Sequence, residues 1–94
     1  MRKAFLITFS LIPGQEDPFI RSSLENLASS RQEEGNMRFE LYQKAKTSEV
    51  VMLEVYEDEA SMNTHFSTKH FQKWKKETKD HIQSSDFMEL TFLG

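Results

Sequence analysis

Cysteine is absent from this chain. That removes disulfide staples, thiolate nucleophiles and sulfur-ligated metals, and it fits a reducing, cytoplasmic setting. Basic residues are outnumbered: 12 Lys and Arg stand against 15 Asp and Glu, for a net charge of −3. Proteins that track phosphates are usually basic, so no nucleic-acid partner is expected. The short cluster Lys73, Lys75 and Lys76 around Trp74 reads as a solvated helix face. No apolar run approaches the roughly 20 residues of a membrane span, and no membrane partner is expected. Met1, Arg2 and Lys3 ahead of an apolar stretch at 4–12 mimic a secretory leader. Yet Pro13 and Gly14 follow where a small-residue cleavage site would stand, and the stretch serves better as a strand. There is no glycine-rich phosphate loop and no Ser/His/Asp order. With three Gly and two Pro in all, punctuation is scarce, so each marks a boundary.

What the chain does have is aromatic bulk: eight Phe, two Tyr and one Trp in 94 residues. At this length one domain, residues 1–94, is expected, burying roughly 60–65 % of its unfolded surface. Phe5, Ile7, Phe9 and Leu11 alternate along strand 4–12. Asp17 and Pro18 form a helix start, with Asp at the N-cap and Pro at N1. Ile20, Leu24, Leu27, Ala28 and Arg31 then make a helical stripe that runs to about Glu33, closed by Gly35 and Asn36. Met37, Phe39 and Leu41 mark the apolar face of a second strand, and 44–48 supply a hairpin turn. A third strand, 49–56, alternates Val51, Leu53 and Val55 with Met52, Glu54 and Tyr56. Asp58 caps a helix with Met62, His65 and Phe66 inward. Ser67 and Thr68 interrupt it. A second stripe follows through His70, Phe71, Trp74, Thr78, His81 and Ile82. A last strand, 87–93, is apolar on both faces and should be covered on both.

The order β-α-β-β-α-β predicts an α+β, ferredoxin-like fold, with a four-stranded antiparallel sheet and two helices on one face. The other face, assigned Tyr42, Met52 and Tyr56 beside charges, is too apolar for water. A second copy of the chain would cover it, so a homodimer is expected.

Few residues can carry chemistry. His65 and His70 are five apart, about 140° around a helix axis. Zinc pairs on one helix need a spacing of four, so the pattern predicts no metal site unless the break at Ser67 and Thr68 alters the angle. A neutral His65 among apolar neighbours can act as a base or hold a substrate oxygen, or can be a hydrogen-bonded core histidine. Trp74 and Phe71 with Phe39 would line a flat apolar cavity, or simply fill the core. Glu54 is expected to pair with Arg38 across the hairpin. Arg38 is also a candidate anchor for an anionic substrate.

Residues 33–43 (EEGNMRFELYQ) resemble the helix-to-strand signature of the antibiotic biosynthesis monooxygenase domain. Residues 53–60 (LEVYEDEA), with Asn63, Thr64, His65, Phe66, Lys69, His70 and Phe71, resemble its second block. The resemblance implies a dimeric α/β barrel with a cavity between sheet and helices. It also implies oxygenation of a small aromatic or quinol without metal, flavin or haem, the substrate itself reducing oxygen. By this likeness His65 is the catalytic candidate; Phe39, Tyr56 and Trp74 are cavity walls, with Glu54 and Arg38 as further substrate contacts. The family commonly has Trp where Tyr56 stands. The same blocks resemble autoinducer-2 phosphate isomerase, although helix 1 has Asn26 and Leu27 in place of a polar, His-bearing segment. Haem-degrading relatives fit less well, since Trp74 and Lys75 stand near their ligand histidine. A dimeric ligand-binding module without catalysis is the reading from another class.

Overall fold

The phase of the first strand decides which way the sheet faces. In the computed structural model, which describes residues 1–94, the elements are β1 (Lys3–Leu11), α1 (Glu16–Ser30), β2 (Asn36–Gln43), β3 (Glu49–Tyr56), α2 (Glu59–Phe66), α3 (Lys69–Thr78) and β4 (Ile82–Leu90). All pairings are antiparallel, in the order β2-β3-β1-β4. The fold is α+β and ferredoxin-like, with the second helix split in two. Phe5, Ile7 and Phe9 of β1 stand opposite Glu54, Met52 and Val50 of β3, so these share a face with the helices. Phe9, Leu11, Phe19, Leu27, Phe39, Val50 and Met52 form the core, with Trp74 packed against it.

This corrects the expected face of β3. Val50, Met52, Glu54 and Tyr56 are buried, whereas Val51, Leu53 and Val55 look out to the open side. The odd-numbered set is the more apolar, but β1 fixes the register, and Tyr56 and Met52 bring more volume to the core. Glu54 misleads because its carboxylate is satisfied locally, accepting from Tyr56 Oη at 2.5 Å.

Other boundaries also move. Helix α1 begins at Glu16 rather than after an Asp17 cap, and Gln15 makes no side-chain cap. The Glu16 carboxylate instead accepts from Gly14 N at 2.9 and 3.0 Å, and Gly14 has the positive φ (91°) that glycine tolerates best. The buried face of α1 is Phe19, Ser23, Asn26, Leu27 and Ser30; of the expected stripe Leu27 alone is buried, and Leu24 is 50 % exposed. Small polar residues let α3 approach: Trp74 Nε1 donates to Ser23 Oγ at 2.8 Å. Helix α3 ends at Thr78, and Ile82 opens β4. The last strand therefore starts earlier than expected, at the sheet edge beside β1. Within one chain it is not covered on both faces: Phe87 and Met88 are about half exposed.

The side of the sheet away from the helices carries half-buried Leu6, Val51, Leu53, Val55 and Leu90. Arg38, Glu40 and Tyr42 line its β2 edge; Glu40 accepts from Arg38 at 2.9 and 3.0 Å and from Tyr42 Oη. The expected Arg38–Glu54 pair does not form, because the two residues point to opposite faces. No helix is long and apolar enough to cross a membrane.

Candidate functional site

Three elements deliver one carboxylate and two imidazoles to a single point. Glu33 lies in the turn between α1 and β2, held by backbone bonds from Glu33 N to Ser30 O and Asn36 N to Glu33 O. The side chain of Asp58 caps α2, accepting from Ser61 N at 2.8 Å, and so aims His65 inward. Thr68 caps α3, accepting from Phe71 N, and positions His70 as the second residue of that helix. His65 Nδ1 lies 2.8 Å from Glu33 Oε2, and His70 Nε2 lies 2.5 Å from the same oxygen. The angular argument against this pair fails because the two histidines belong to separate helices.

The imidazole of His65 is 1 % exposed, while His70 is a quarter exposed. Glu33 Oε2 can accept from both rings, and the His65 tautomer that donates to it from Nδ1 carries a free lone pair on Nε2. The hydrogen bonds of the His65 ring are all at Nδ1, which donates to Glu33 Oε2 and has Ser30 Oγ at 3.5 Å. Around the ring stand Phe39, Tyr56, Phe66 and Phe71, with centroids 5.2–5.7 Å away. A free imidazole nitrogen among aromatic faces suits proton removal from a flat, apolar acid.

Of the residues proposed from sequence, His65, Phe39, Tyr56 and Glu54 come together here. Trp74 lies one layer away, stacked on Phe71 at 6.0 Å and against Phe9 and Phe19. Arg38 is on the far face of the sheet. The flat cavity expected between Phe39, Phe71 and Trp74 is filled by His65 and the rings themselves. A shallow hollow of about 20 Å³ between α1 and α3 is lined by Asn26, His70 and Trp74 among others. Sequence reading missed Glu33 as a site residue and His70 as its partner. The signal was the run Ser23, Asn26, Ser30: polar side chains at helical spacing that end buried against α2 and α3.

Burial pushes the Glu54 carboxyl above its ordinary value of 4.5, and the Tyr56 hydrogen bond only partly offsets this. Burial, with the neighbouring Glu54 charge, drives the Tyr56 phenol up, so it stays a neutral donor. A carboxyl raised on folding contributes stability that is present below its unfolded value and lost as pH rises toward its folded value. Glu54→Gln keeps an acceptor for Tyr56 and never charges. Its melting temperature should therefore exceed that of the parent at pH 7, with the gap closing by about pH 4. Melts at the two pH values check this, and an unchanged gap would refute it.

Comparison with known proteins bears on the family and the fold. The family model described as "Antibiotic biosynthesis monooxygenase" matches residues 4–77. "Putative monooxygenase YcnE" of Bacillus subtilis is 35% identical over 69 residues, 72% of this chain and 73% of that one. The Bacteroides thetaiotaomicron structure "Putative antibiotic biosynthesis monooxygenase" is 28% identical, with TM-score 0.91 over 98% of this chain and 90% of the other. A Pseudomonas aeruginosa structure shares the fold at 24% identity, with TM-score 0.91 over 99% and 95% of the two chains.

Proposed function

The chain belongs to the antibiotic biosynthesis monooxygenase family, and from its site we propose that it oxygenates a small phenol or quinol without metal, flavin or haem. The observation that carries this reading is the imidazole of His65, tied at Nδ1 to Glu33 and bare at Nε2 within an aromatic shell. His65 Nε2 removes the hydroxyl proton. The resulting anion passes an electron to dioxygen, and the radical pair combines at a ring carbon. His65 returns its proton to the peroxide, and loss of water with the ring-carbon hydrogen leaves one oxygen atom in the product as a quinone carbonyl, the substrate supplying every electron. Phe39 and Tyr56 flank the ring, and Phe66 and Phe71, at the joint between α2 and α3, must swing aside to admit the substrate. A water-free pocket keeps the radical pair from escaping.

Oxygen uptake by metal-stripped protein across a panel of quinols and polyphenols tests the reading. Uptake with one quinone product, carrying one new oxygen atom, per dioxygen supports it. No uptake across the panel refutes it, and turnover that persists under nitrogen points to isomerisation instead.

A homodimer, closed through the open face of the sheet, completes the proposal. Leu6, Val51, Leu53, Val55 and Leu90 form an apolar band there, beside a hollow of about 310 Å³ lined partly by Phe92 and Leu93. The sedimenting species should have twice the 11.1 kDa chain mass. Leu53→Asp, which buries a charge at that seam, should give the single-chain mass at micromolar concentration. A variant that still sediments as a dimer would place the interface elsewhere.

A further inference from the structure

Glu33 is not fully used by the hydrogen bonds that surround it. Its Oε2 receives both imidazoles, yet its Oε1 is buried without a partner. A buried carboxylate oxygen left bare costs free energy, so one doubly engaged oxygen beside one empty oxygen calls for a further ligand. The site's ligand atoms, His65 Nδ1, His70 Nε2 and a Glu33 oxygen, lie within 4.8 Å of one another. Beside them is a depression of about 250 Å³ lined by Glu33, Glu34, Glu57 and Asp58, with Ser61 and Thr64 on its wall. Four carboxylates around one hollow concentrate cations at its mouth.

We infer that Glu33, His65 and His70 form a binding site for a divalent transition-metal ion, with zinc as the type ion. Two imidazoles and a carboxylate are a nitrogen-rich donor set, which selects zinc and its neighbours over magnesium or calcium. Metal–ligand bonds of about 2.0–2.1 Å in a tetrahedron put ligand atoms about 3.3 Å apart. The observed 2.5 and 2.8 Å separations must therefore open by less than about 1 Å, and the widest, at most 4.8 Å, must close by up to about 1.5 Å, which the joint at Ser67 and Thr68 between α2 and α3 can absorb. Bidentate coordination gives Glu33 Oε1 the partner it lacks. The acidic depression is the entry path.

Loading also moves a proton. With no ion, Nδ1 of His65 carries the hydrogen that Glu33 accepts, and Nε2 is the free base. An ion on Nδ1 takes that lone pair and leaves the ring proton on Nε2. The ion is then no cofactor: it switches His65 off as a base. Only this last consequence rests on the oxygenase reading; the site itself does not.

Zinc chloride titrated calorimetrically into the metal-stripped full chain should show one saturable ion per chain. His70→Ala and Glu33→Gln should each weaken binding at least about tenfold. Glu57→Gln, on the rim, should stay within about threefold. Nitrogen-15 correlation spectra of the unaltered protein should show the His65 proton pass from Nδ1 to Nε2 as zinc is added, a readout that needs neither a variant nor a substrate. No saturable binding, binding that His70→Ala leaves intact, or binding without change at the His65 ring would each overturn the site. A site that binds while oxygen uptake is insensitive to zinc would refute the switch and leave the site standing.

Discussion

His65→Gln should lower the turnover of an accepted quinol by roughly 10²–10⁴-fold, the range general-base catalysis contributes. Glutamine is the informative replacement. His65 is 1 % exposed and ringed by four aromatic side chains, so alanine would open a cavity and lose packing as well as chemistry. Glutamine fills most of the volume and offers an N–H to Glu33, but it cannot take and release a proton. If His65 acts only as substrate ionises, kcat and kcat/KM should fall together, with little change in substrate affinity. A histidine that merely packs predicts the opposite pattern: a lower melting temperature and a turnover per folded molecule close to the parent's. Initial oxygen-uptake rates over a range of quinol concentrations, with thermal melts of the same preparations, separate the two. Near-parental turnover by a folded His65→Gln would remove His65 from the mechanism.

The sheet and the order of elements along the chain were legible because alternation in β1, β2 and β3 is strong and the breaks at Gly14 and 44–48 are local. The face of β3 was not legible. Val51, Leu53 and Val55 are a better apolar set than Val50, Met52, Glu54 and Tyr56, and only pairing with Phe5 and Phe9 across the sheet decides between them. That is long-range information. The same limit hid the site. His65 could be singled out as a histidine among apolar neighbours, but Glu33 lies 32 residues away in a turn, where a carboxylate reads as surface. Glu33 becomes special only when α2 folds back over that turn. The helical stripe of α1 misled for a related reason: hydrophobic periodicity looks for apolar residues, whereas a helix that supports a polar site buries serine and asparagine.

Gly35→Ala should destabilise the chain by about 1–3 kcal/mol, the range of a forced overpacking. The residue was expected to close a helix running to about Glu33, but α1 has already ended at Ser30 and the φ of Gly35 is not positive. What demands glycine is the approach of α2. A Cβ at position 35 would lie 1.9 Å from Ser61 Oγ and 2.3 Å from Ser61 Cβ, with Ser61 Cα at 3.5 Å. A rotamer change can move the hydroxyl but not Cβ, so the clash must be relieved by displacing the turn or the helix. The Glu57 N to Gly35 O bond of 2.8 Å ties the turn to the end of β3 and resists that displacement. The physical pairing gives an ordered series in denaturant melts. Ser61→Ala in the Gly35→Ala background should restore little, because its Cβ remains. Ser61→Gly should restore most of the loss, after correction for the roughly 1 kcal/mol that glycine costs within a helix. The strain also sits between Glu33 and the helix that carries His65, so Gly35→Ala should lengthen the Glu33–His65 contact and reduce turnover beyond what the folded fraction explains. Equal rescue by alanine and glycine at position 61 would show that the hydroxyl alone, and not the close passage of the two backbones, is what position 35 must accommodate.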